Sequence, residues 1–268
     1  MADFGRSLLP LWRLDPGALH LNHGSFGAVP REVEAAQEEI RHALEREPDQ
    51  FFRHYLRPAL RDVSAQLGNI VYASGQAIAL VENATTAINT VLRAVDLKPG
   101  DEILVLDHAY NAVRLAVEDT CRRTGARMAV ATIPIPVNGN TVVERVLDAT
   151  SANTRLAIVD HITSPTATMM PVAEITAALK ARGVRVKIDG AHAVGHVPLD
   201  VTAIGADWYT ANAHKWLYTP RGTAFLYAAP DVAREHRGGD EHQHAQEEER
   251  GDREAEPPEE EVSHLPPA

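Results

Sequence analysis

The chain has 268 residues, of which 44 % are hydrophobic and 24 % charged, with one cysteine and a net charge of −11. This composition suits a globular protein with a sizeable core, and it excludes collagen-like, coiled-coil and disulfide-bonded scaffolds. No apolar run approaches about 18 residues, no signal-peptide pattern is present and no basic stripe carries aromatic residues, so we expect a cytoplasmic protein without membrane or nucleic-acid partners.

The sequence divides into three predicted parts, and residues 1–30 are the first, an N-terminal extended segment. It contains the motif Leu21-Asn22-His23-Gly24-Ser25-Phe26-Gly27. A polar amphipathic helix is then predicted from about residue 30 to residue 47, because apolar residues recur there at helical spacing, at Val33, Ala36, Ile40 and Leu44.

Residues 31–232, the second part, alternate between short β-branched or apolar runs and helical stretches. This alternation is typical of crossover units, in which helices cover both faces of a sheet. We therefore predict an α/β fold of three α/β/α layers around a mainly parallel mixed sheet. The predicted strands are residues 78–81, 103–106, 128–131, 156–159, 184–188, 207–210 and 224–227.

Residues 233–268, the third part, hold 12 acidic and 4 basic residues and almost no large apolar ones. Such a segment cannot offset its ordering entropy by burial, so a disordered acidic tail is predicted. Its histidines are irregularly spaced, so no metal site is predicted there.

Two polar groups follow predicted strands in the second half of the domain. Asp189 ends a buried strand, where a lone carboxylate needs a cation, although a helix N-cap or metal ligand is the simpler alternative. Lys215 follows another strand between His214 and Trp216. A partly desolvated lysine can form a Schiff base with an aldehyde, whereas the simpler alternatives are phosphate binding or a surface position.

Two further clusters follow strands nearer the N-terminus. Thr85 and Thr86 fall in the first turn of a predicted helix, where they either bind an anion or only cap the helix. Tyr110 could stack on an aromatic ligand, and Ser164 or Thr163 could bind a ring hydroxyl. A phosphate, a ring cation, a ring face and an aldehyde are together properties of pyridoxal 5′-phosphate.

The motifs occur in an order, from about Leu21 to Tyr227, that resembles the class V aminotransferase family of fold-type I pyridoxal-phosphate enzymes. Within that family the chain is most similar to the isopenicillin N epimerase-like branch, which also contains C–S lyases. The motifs that carry this resemblance are 21–27, 83–87, 107–110, 162–166, 189–193 and 214–216.

The resemblance implies the roles of the residues around the cofactor ring. Lys215 would form the Schiff base and move the substrate α-proton, and Asp189 would keep the pyridinium nitrogen protonated. His192 would lie near the ring hydroxyl. Tyr110 would cover the ring face, with His108 as the competing choice.

The resemblance also implies the contacts at the two ends of the pocket. A turn formed by Ala84, Thr85 and Thr86 would cradle the phosphate. Asn212 and His214 would help to hold it. The N-terminal residues on the substrate side would be Asn22, His23 and Ser25.

The resemblance further implies an amino-acid substrate and a homodimer in which the loop Arg221-Gly222-Thr223 approaches the partner's site. Family members continue with a C-terminal domain that supplies an arginine for the substrate carboxylate, whereas here the acidic tail follows, as if the product were truncated. Arg53 could replace that arginine or form a structural ion pair.

Two main hypotheses follow. The chain is a pyridoxal-phosphate enzyme with epimerase, lyase or aminotransferase activity, or it is a truncated, catalytically impaired cofactor-binding remnant of one. A nicotinamide-dependent dehydrogenase would share the parallel sheet, but the sequence lacks the glycine fingerprint of such enzymes.

Overall fold

Seven short strands form one mixed sheet in the order β1-β7-β6-β5-β4-β2-β3 in the computed structural model, which describes residues 5–237. Only β7 runs antiparallel to its neighbours, β1 and β6, and the other pairs are parallel. The strands are β1 (Ile78–Val81), β2 (Glu102–Leu106), β3 (Arg127–Ala131), β4 (Thr154–Asp160), β5 (Arg185–Asp189), β6 (Trp208–Asn212) and β7 (Ala224–Ala228).

The helices precede the sheet, connect its strands or, for the last one, follow its final strand. They are α1 (His23–Phe26), α2 (Arg31–Arg46), α3 (Pro48–Gln50), α4 (Leu56–Val71), α5 (Ala84–Ala94), α6 (Asn111–Thr124), α7 (Gly139–Asp148), α8 (Val172–Lys180), α9 (Val201–Ile204), α10 (Ala213–Trp216) and α11 (Pro230–Arg237). A 3₁₀ segment spans Gly5–Leu11, another spans Gly75–Ala77, and a π-helical turn at Phe51–Tyr55 joins α3 to α4. None of the helices in the described part is long and apolar enough to cross a bilayer.

The sheet separates two apolar layers, as the predicted α/β/α architecture requires. Helices α5 and α6 pack on one face, and α7 and α8 on the other. Side chains alternate between these layers along each strand, so Leu156 and Ile158 of β4 face α5 and α6 whereas Ala157 and Val159 face the opposite layer. The same alternation turns Asp160, Asp189 and Asn212, the last residues of β4, β5 and β6, towards the α5 side.

Strand ends therefore gather polar side chains at one edge of the sheet. In a parallel sheet the carboxyl ends of neighbouring strands lie side by side, and ligands bind there. The prediction of a mainly parallel mixed sheet with α/β/α layers is confirmed.

The N-terminal segment differs from the prediction. Residues 23–26 form the helical turn α1, so the prediction of an extended conformation for these residues is wrong. The turn closes because Gly27 adopts a φ of 71° and its N–H bonds the His23 carbonyl at 2.8 Å.

The C-terminal boundary also differs in detail. Helix α11 continues to Arg237, past the predicted start of the tail at residue 233, and its Val232 is buried against the sheet. Residues 238–268 lie outside the described residues, so the predicted disorder of the tail stays a prediction.

Candidate functional site

Helix α10 brings Lys215 to the strand-end edge of the sheet. The helix starts directly after β6, so its position is fixed by the central sheet. Lys215 Nζ lies 3.1 Å from His192 Nε2. Burial lowers the pKa of Lys215, an effect that the nearby Asp189 charge partly reverses. Burial also lowers the pKa of His192 to about 4, so its imidazole is neutral near pH 7 and able to accept a hydrogen bond from the lysine.

Asp189 supplies a buried carboxylate next to this lysine. Only 5 % of the residue is exposed, and its Oδ1 accepts the Ala191 N–H at 3.0 Å. Burial raises the pKa of Asp189, whereas the Lys187 and Lys215 charges and the Ala191 N–H lower it. A carboxylate in such a place is stabilised by any cation that enters the space in front of it.

The N-terminus of α5 forms another side of the site. Asn83 caps the helix, because its Oδ1 accepts the Thr86 N–H at 2.8 Å. Asn212 Oδ1 accepts the Ala84 N–H at 2.9 Å and so ties this turn to the end of β6. An eleven-residue helix presents partial positive charge at this end, which favours an anion such as phosphate.

These groups surround one cavity of about 160 Å³. Its lining includes ten of the thirteen predicted site residues, namely Ser25, Ala84, Thr85, Tyr110, Ser164, Asp189, His192, Asn212, His214 and Lys215. The remaining lining residues are Asn83, Asp160, Ile162 and Ala191. A wider groove of about 520 Å³ lies elsewhere, beside His161 and Met170, and none of the predicted site residues lines it.

Three predicted residues do not line the cavity: Thr86, Asn22 and His23. Thr86 has its N–H turned to the Asn83 cap. His23 lies behind the lysine, with Nε2 2.6 Å from the Lys215 carbonyl oxygen and its ring 5.1 Å from that of Trp216. Its geometry is that of a support for α10, not of a substrate contact.

The structure also separates two pairs of alternatives. Tyr110 lines the cavity, whereas His108 is buried with its ring nitrogens 2.9 Å from Thr166 Oγ1 and 3.0 Å from the Ile133 carbonyl oxygen. Arg53 forms an exposed ion pair with Asp49 at 2.7 Å and does not line the cavity. The geometry therefore supports a structural ion pair for Arg53, not a substrate contact.

Asp160 is the ionisable lining residue that the sequence analysis did not select. It lies just past the predicted strand 156–159, but it is the last residue of β4 and only 4 % exposed. The signal that could have found it is the register of the sheet, because Asp160 pairs with Asp189 on the adjacent strand.

Fold and site together define an α/β protein whose strand-end cavity combines an amine, a buried carboxylate and a helix N-terminus. The model of the class-V aminotransferase family matches residues 34–258, and the chain belongs to that family. This family uses pyridoxal 5′-phosphate. The lining fits that group, because its chemistry offers a partner for an aldehyde, for a pyridinium nitrogen and for a phosphate.

Individual relatives and solved structures agree with this assignment. The chain is 37 % identical over 233 residues to a putative L-cysteine desulfhydrase of Oryza sativa. The aligned region covers 81 % of this chain and 48 % of the relative. It is 33 % identical over 218 residues to an isopenicillin N epimerase of Streptomyces clavuligerus, covering 81 % and 55 %. A structure of a C-DES mutant with glycine covalently linked to the PLP cofactor matches with a TM-score of 0.73 at 25 % identity, covering 81 % and 58 %. The chain thus spans about half the length of the curated relatives it matches.

Proposed function

We propose that the chain is a pyridoxal-phosphate-dependent enzyme that acts on an amino acid. One observation carries the proposal: Lys215 Nζ and the Asp189 carboxylate face one cavity that the N-terminus of α5 also borders. The chain has four lysines, and Lys215 alone among them lines this cavity. The names of the relatives support epimerase or C–S lyase chemistry, with transamination as the third branch.

The proposed roles follow from the positions of the chain's own side chains. Asp189 holds a proton on the ring nitrogen, and the turn Ala84-Thr85-Thr86, with Asn212 and His214, holds the phosphate end. Thr86 contributes only through the hydrogen bond that caps the turn. When bound, the cofactor supplies an aldehyde that condenses with amines and a charged ring that accepts an electron pair.

The remaining roles concern the substrate side. Lys215 takes the proton from the substrate Cα, because burial leaves a larger fraction of its amine unprotonated near neutral pH than in water. His192 keeps Nζ aimed into the cavity through their 3.1 Å contact. Tyr110 and Ser164 line the cavity, where they would flank a bound ring, and Ser25 lines it from the N-terminal segment, with its N–H 3.3 Å from the Asn22 carbonyl oxygen.

The remnant hypothesis predicts a chain that binds the cofactor but lacks a complete substrate site. The Lys215 and Asp189 positions and the α5 turn are occupied by competent groups that line the cavity, which fits both hypotheses. We favour an active enzyme over a remnant because the relatives that the chain resembles are named as enzymes. The compartment is proposed to be the cytoplasm.

The assembly is proposed to be a homodimer, as the resemblance implies. Large apolar side chains support it, because Phe26 is 75 % exposed and Phe52 57 % exposed in the single chain. Arg221 donates to the Gly27 carbonyl at 2.9 Å, which holds the proposed partner-facing loop against α1. Sedimentation of a single species at the mass of the monomer would contradict the dimer.

Cofactor binding is tested with the purified full chain by visible absorption on adding pyridoxal 5′-phosphate. Wild type and Lys98→Ala should develop a band that borohydride bleaches, and the reduced cofactor should be found on Lys215 by peptide mass spectrometry. Lys98 is a matched control because it is exposed and remote from the cavity. The proposal fails if Lys215→Ala keeps the band or if the label is found on another lysine.

The reaction itself is tested separately. The loaded protein is incubated with L-cysteine and with other amino acids, and sulfide, keto acid and change of chirality are measured. Turnover in any of the three assays that Lys215→Ala abolishes supports an active enzyme. A normal cofactor band without turnover of any amino acid would favour the remnant hypothesis.

A further inference from the structure

Two carboxyl groups, not one, face the cavity from the sheet. Asp160 and Asp189 are register partners on the adjacent parallel strands β4 and β5, and both side chains emerge on the α5 face. The two residues are 4 % and 5 % exposed, and both line the cavity. We propose that Asp160 is a positioning residue that keeps its proton, so that Asp189 is the single anion of the pair and faces the bound ring alone.

The surroundings of Asp189 explain why that residue carries the charge. Its carboxylate accepts the Ala191 N–H, and both Lys187 and Lys215 favour its ionised form. Lys187 lies two residues earlier on the same face of β5, fully buried, with Nζ 3.2 Å from the Ile188 carbonyl oxygen. Burial lowers the pKa of this lysine well below its usual value, and the Asp189 charge opposes that shift, so the ionisation of Lys187 and that of Asp189 favour each other.

Asp160 has a different environment. Burial raises its pKa well above the usual value, and the adjacent Asp189 charge raises it further. The backbone N–H groups of Asp160 and Tyr110 oppose these effects without cancelling them. Two like charges on neighbouring strands in a buried site do not both ionise, so the proton falls on the carboxyl with fewer cationic neighbours.

The other titratable groups near the pair do not reverse this result. His192 is neutral near pH 7, and Tyr209 keeps its proton because burial raises the pKa of its phenol. Lys215 acts on Asp189 and so strengthens the asymmetry between the two carboxyl groups.

Two consequences follow for the site. A neutral Asp160 leaves one negative charge in front of the ring position, where two would attract any cation regardless of its shape. The same carboxyl lies against the backbone N–H of Tyr110, the residue that precedes α6 at the cavity wall. Asp160 thus joins the sheet to the start of the helix that carries Tyr110.

The test measures the proton directly in the full chain, freed of any co-purifying cofactor. Infrared spectroscopy at pH 7 should show the carbonyl band of a buried protonated carboxylic acid, which shifts in D₂O. Asp160→Asn should lose this band, whereas Asp107→Asn, a matched change outside the cavity, should keep it. In Asp189→Asn the band should remain but titrate at lower pH, because the neighbouring charge is gone.

Unfolding provides a second readout. A carboxyl whose folded pKa is raised stabilises the fold below its unfolded pKa, and this stability is lost as the pH rises towards the folded pKa. The unfolding free energy of wild type should therefore fall, relative to that of Asp160→Asn, as the pH rises above about 4, the ordinary pKa of an aspartate in the unfolded chain.

Two results would overturn the inference: a band that survives in Asp160→Asn, or parallel unfolding profiles of the two proteins. A band lost in Asp189→Asn and kept in Asp160→Asn would give the proton to Asp189 instead. The inference deepens the proposed function by adding a residue to the same site, but neither readout needs the cofactor. Failure of cofactor binding would therefore leave this test intact.

Discussion

At the scale of residues, Lys215 depends on its neighbours for its position, because a four-residue helix cannot by itself fix a long side chain. The His192 imidazole reaches Nζ from the loop after β5, and the His23 imidazole meets the backbone carbonyl of the same lysine. One histidine therefore orients the amine and the other orients the backbone that carries it.

His192 gives the first prediction. His192→Ala should admit water around Nζ, so the pKa of Lys215 should rise towards its ordinary value and the rate of reductive cofactor labelling at pH 7 should fall several-fold. His192→Gln keeps a neutral polar partner and should retain most of that rate. The measurement is the labelling rate of each variant between pH 6 and pH 10, and equal profiles in the two variants would contradict it.

The individual site residues were predictable to different degrees. Lys215 and Asp189 were selected from the sequence because they lie at or just after the end of a predicted strand, where parallel sheets bind ligands. Asp160 was not selected because the local sequence does not distinguish the last residue of a strand from the first residue of a turn. His23 could not be placed, since its contact with the Lys215 carbonyl joins residues 192 positions apart in the chain.

At the scale of elements, α1 packs on α10 through a glycine. Gly27 has a φ of 71°, and a Cβ at this position would lie 1.9 Å from the His214 carbonyl oxygen. The extended segment predicted from the sequence becomes a turn for this reason: the chain must pass close to the backbone beside Lys215, and only glycine permits that approach.

Gly27→Ala is therefore predicted to displace α1 from α10. Gly205→Ala is a matched control, because its φ is 72° and nothing lies within 4 Å of the added methyl. The control should cost about 1 kcal/mol of unfolding free energy from backbone strain, and Gly27→Ala about 2 kcal/mol more from overlap. Urea denaturation checks both values, and equal losses would show that the close approach is not needed.

The first turn of α5 gives another prediction at this scale. Asn212→Asp keeps an oxygen acceptor for the Ala84 N–H but adds a charge at a buried position, so the unfolding free energy should fall by about 1 to 3 kcal/mol without loss of the fold. The added negative charge should repel the proposed phosphate and weaken cofactor binding by about tenfold or more.

Comparing two ligands isolates this charge effect. Pyridoxal lacks the phosphate, so its affinity should be nearly the same for wild type and Asn212→Asp, whereas the affinity for pyridoxal 5′-phosphate should differ. Fluorescence titration gives both values. A variant that loses affinity for both ligands equally would indicate a damaged cavity, and the phosphate assignment of this turn would then fail.

At the scale of the whole molecule, the sheet was predictable because buried parallel strands read as continuous apolar runs separated by amphipathic helices. Ile78–Val81 matches its predicted strand, and the other strands differ by one or two residues at their ends. The direction of β7 and its place in the sheet could not be predicted from the sequence, because its partners β1 and β6 are selected by packing in three dimensions. The helical turn in the N-terminal segment could not be predicted for the same reason.

The buried titratable groups make the stability of the whole chain depend on pH. His161 is 8 % exposed, its Nδ1 lies 2.8 Å from the Tyr209 hydroxyl, and burial lowers its pKa from 6.5 to about 4. The unfolded chain therefore binds a proton below about pH 6.5 that the folded chain does not bind until about pH 4. The stability that this group contributes is complete above the unfolded pKa and is lost as the pH falls through this window.

His161→Gln isolates that contribution, because a glutamine amide can still bond the Tyr209 hydroxyl but does not titrate. Between pH 6.5 and pH 4, wild type should lose about 3 kcal/mol of unfolding free energy relative to the variant, as expected for a shift of this size. Asp160 is expected to change the unfolding free energy with pH in the opposite direction. Because both proteins contain Asp160, its effect cancels when their unfolding free energies are subtracted. Urea titrations at pH 7, 6, 5 and 4 measure this difference. Parallel profiles would mean that the pKa of His161 is the same in the folded and the unfolded protein.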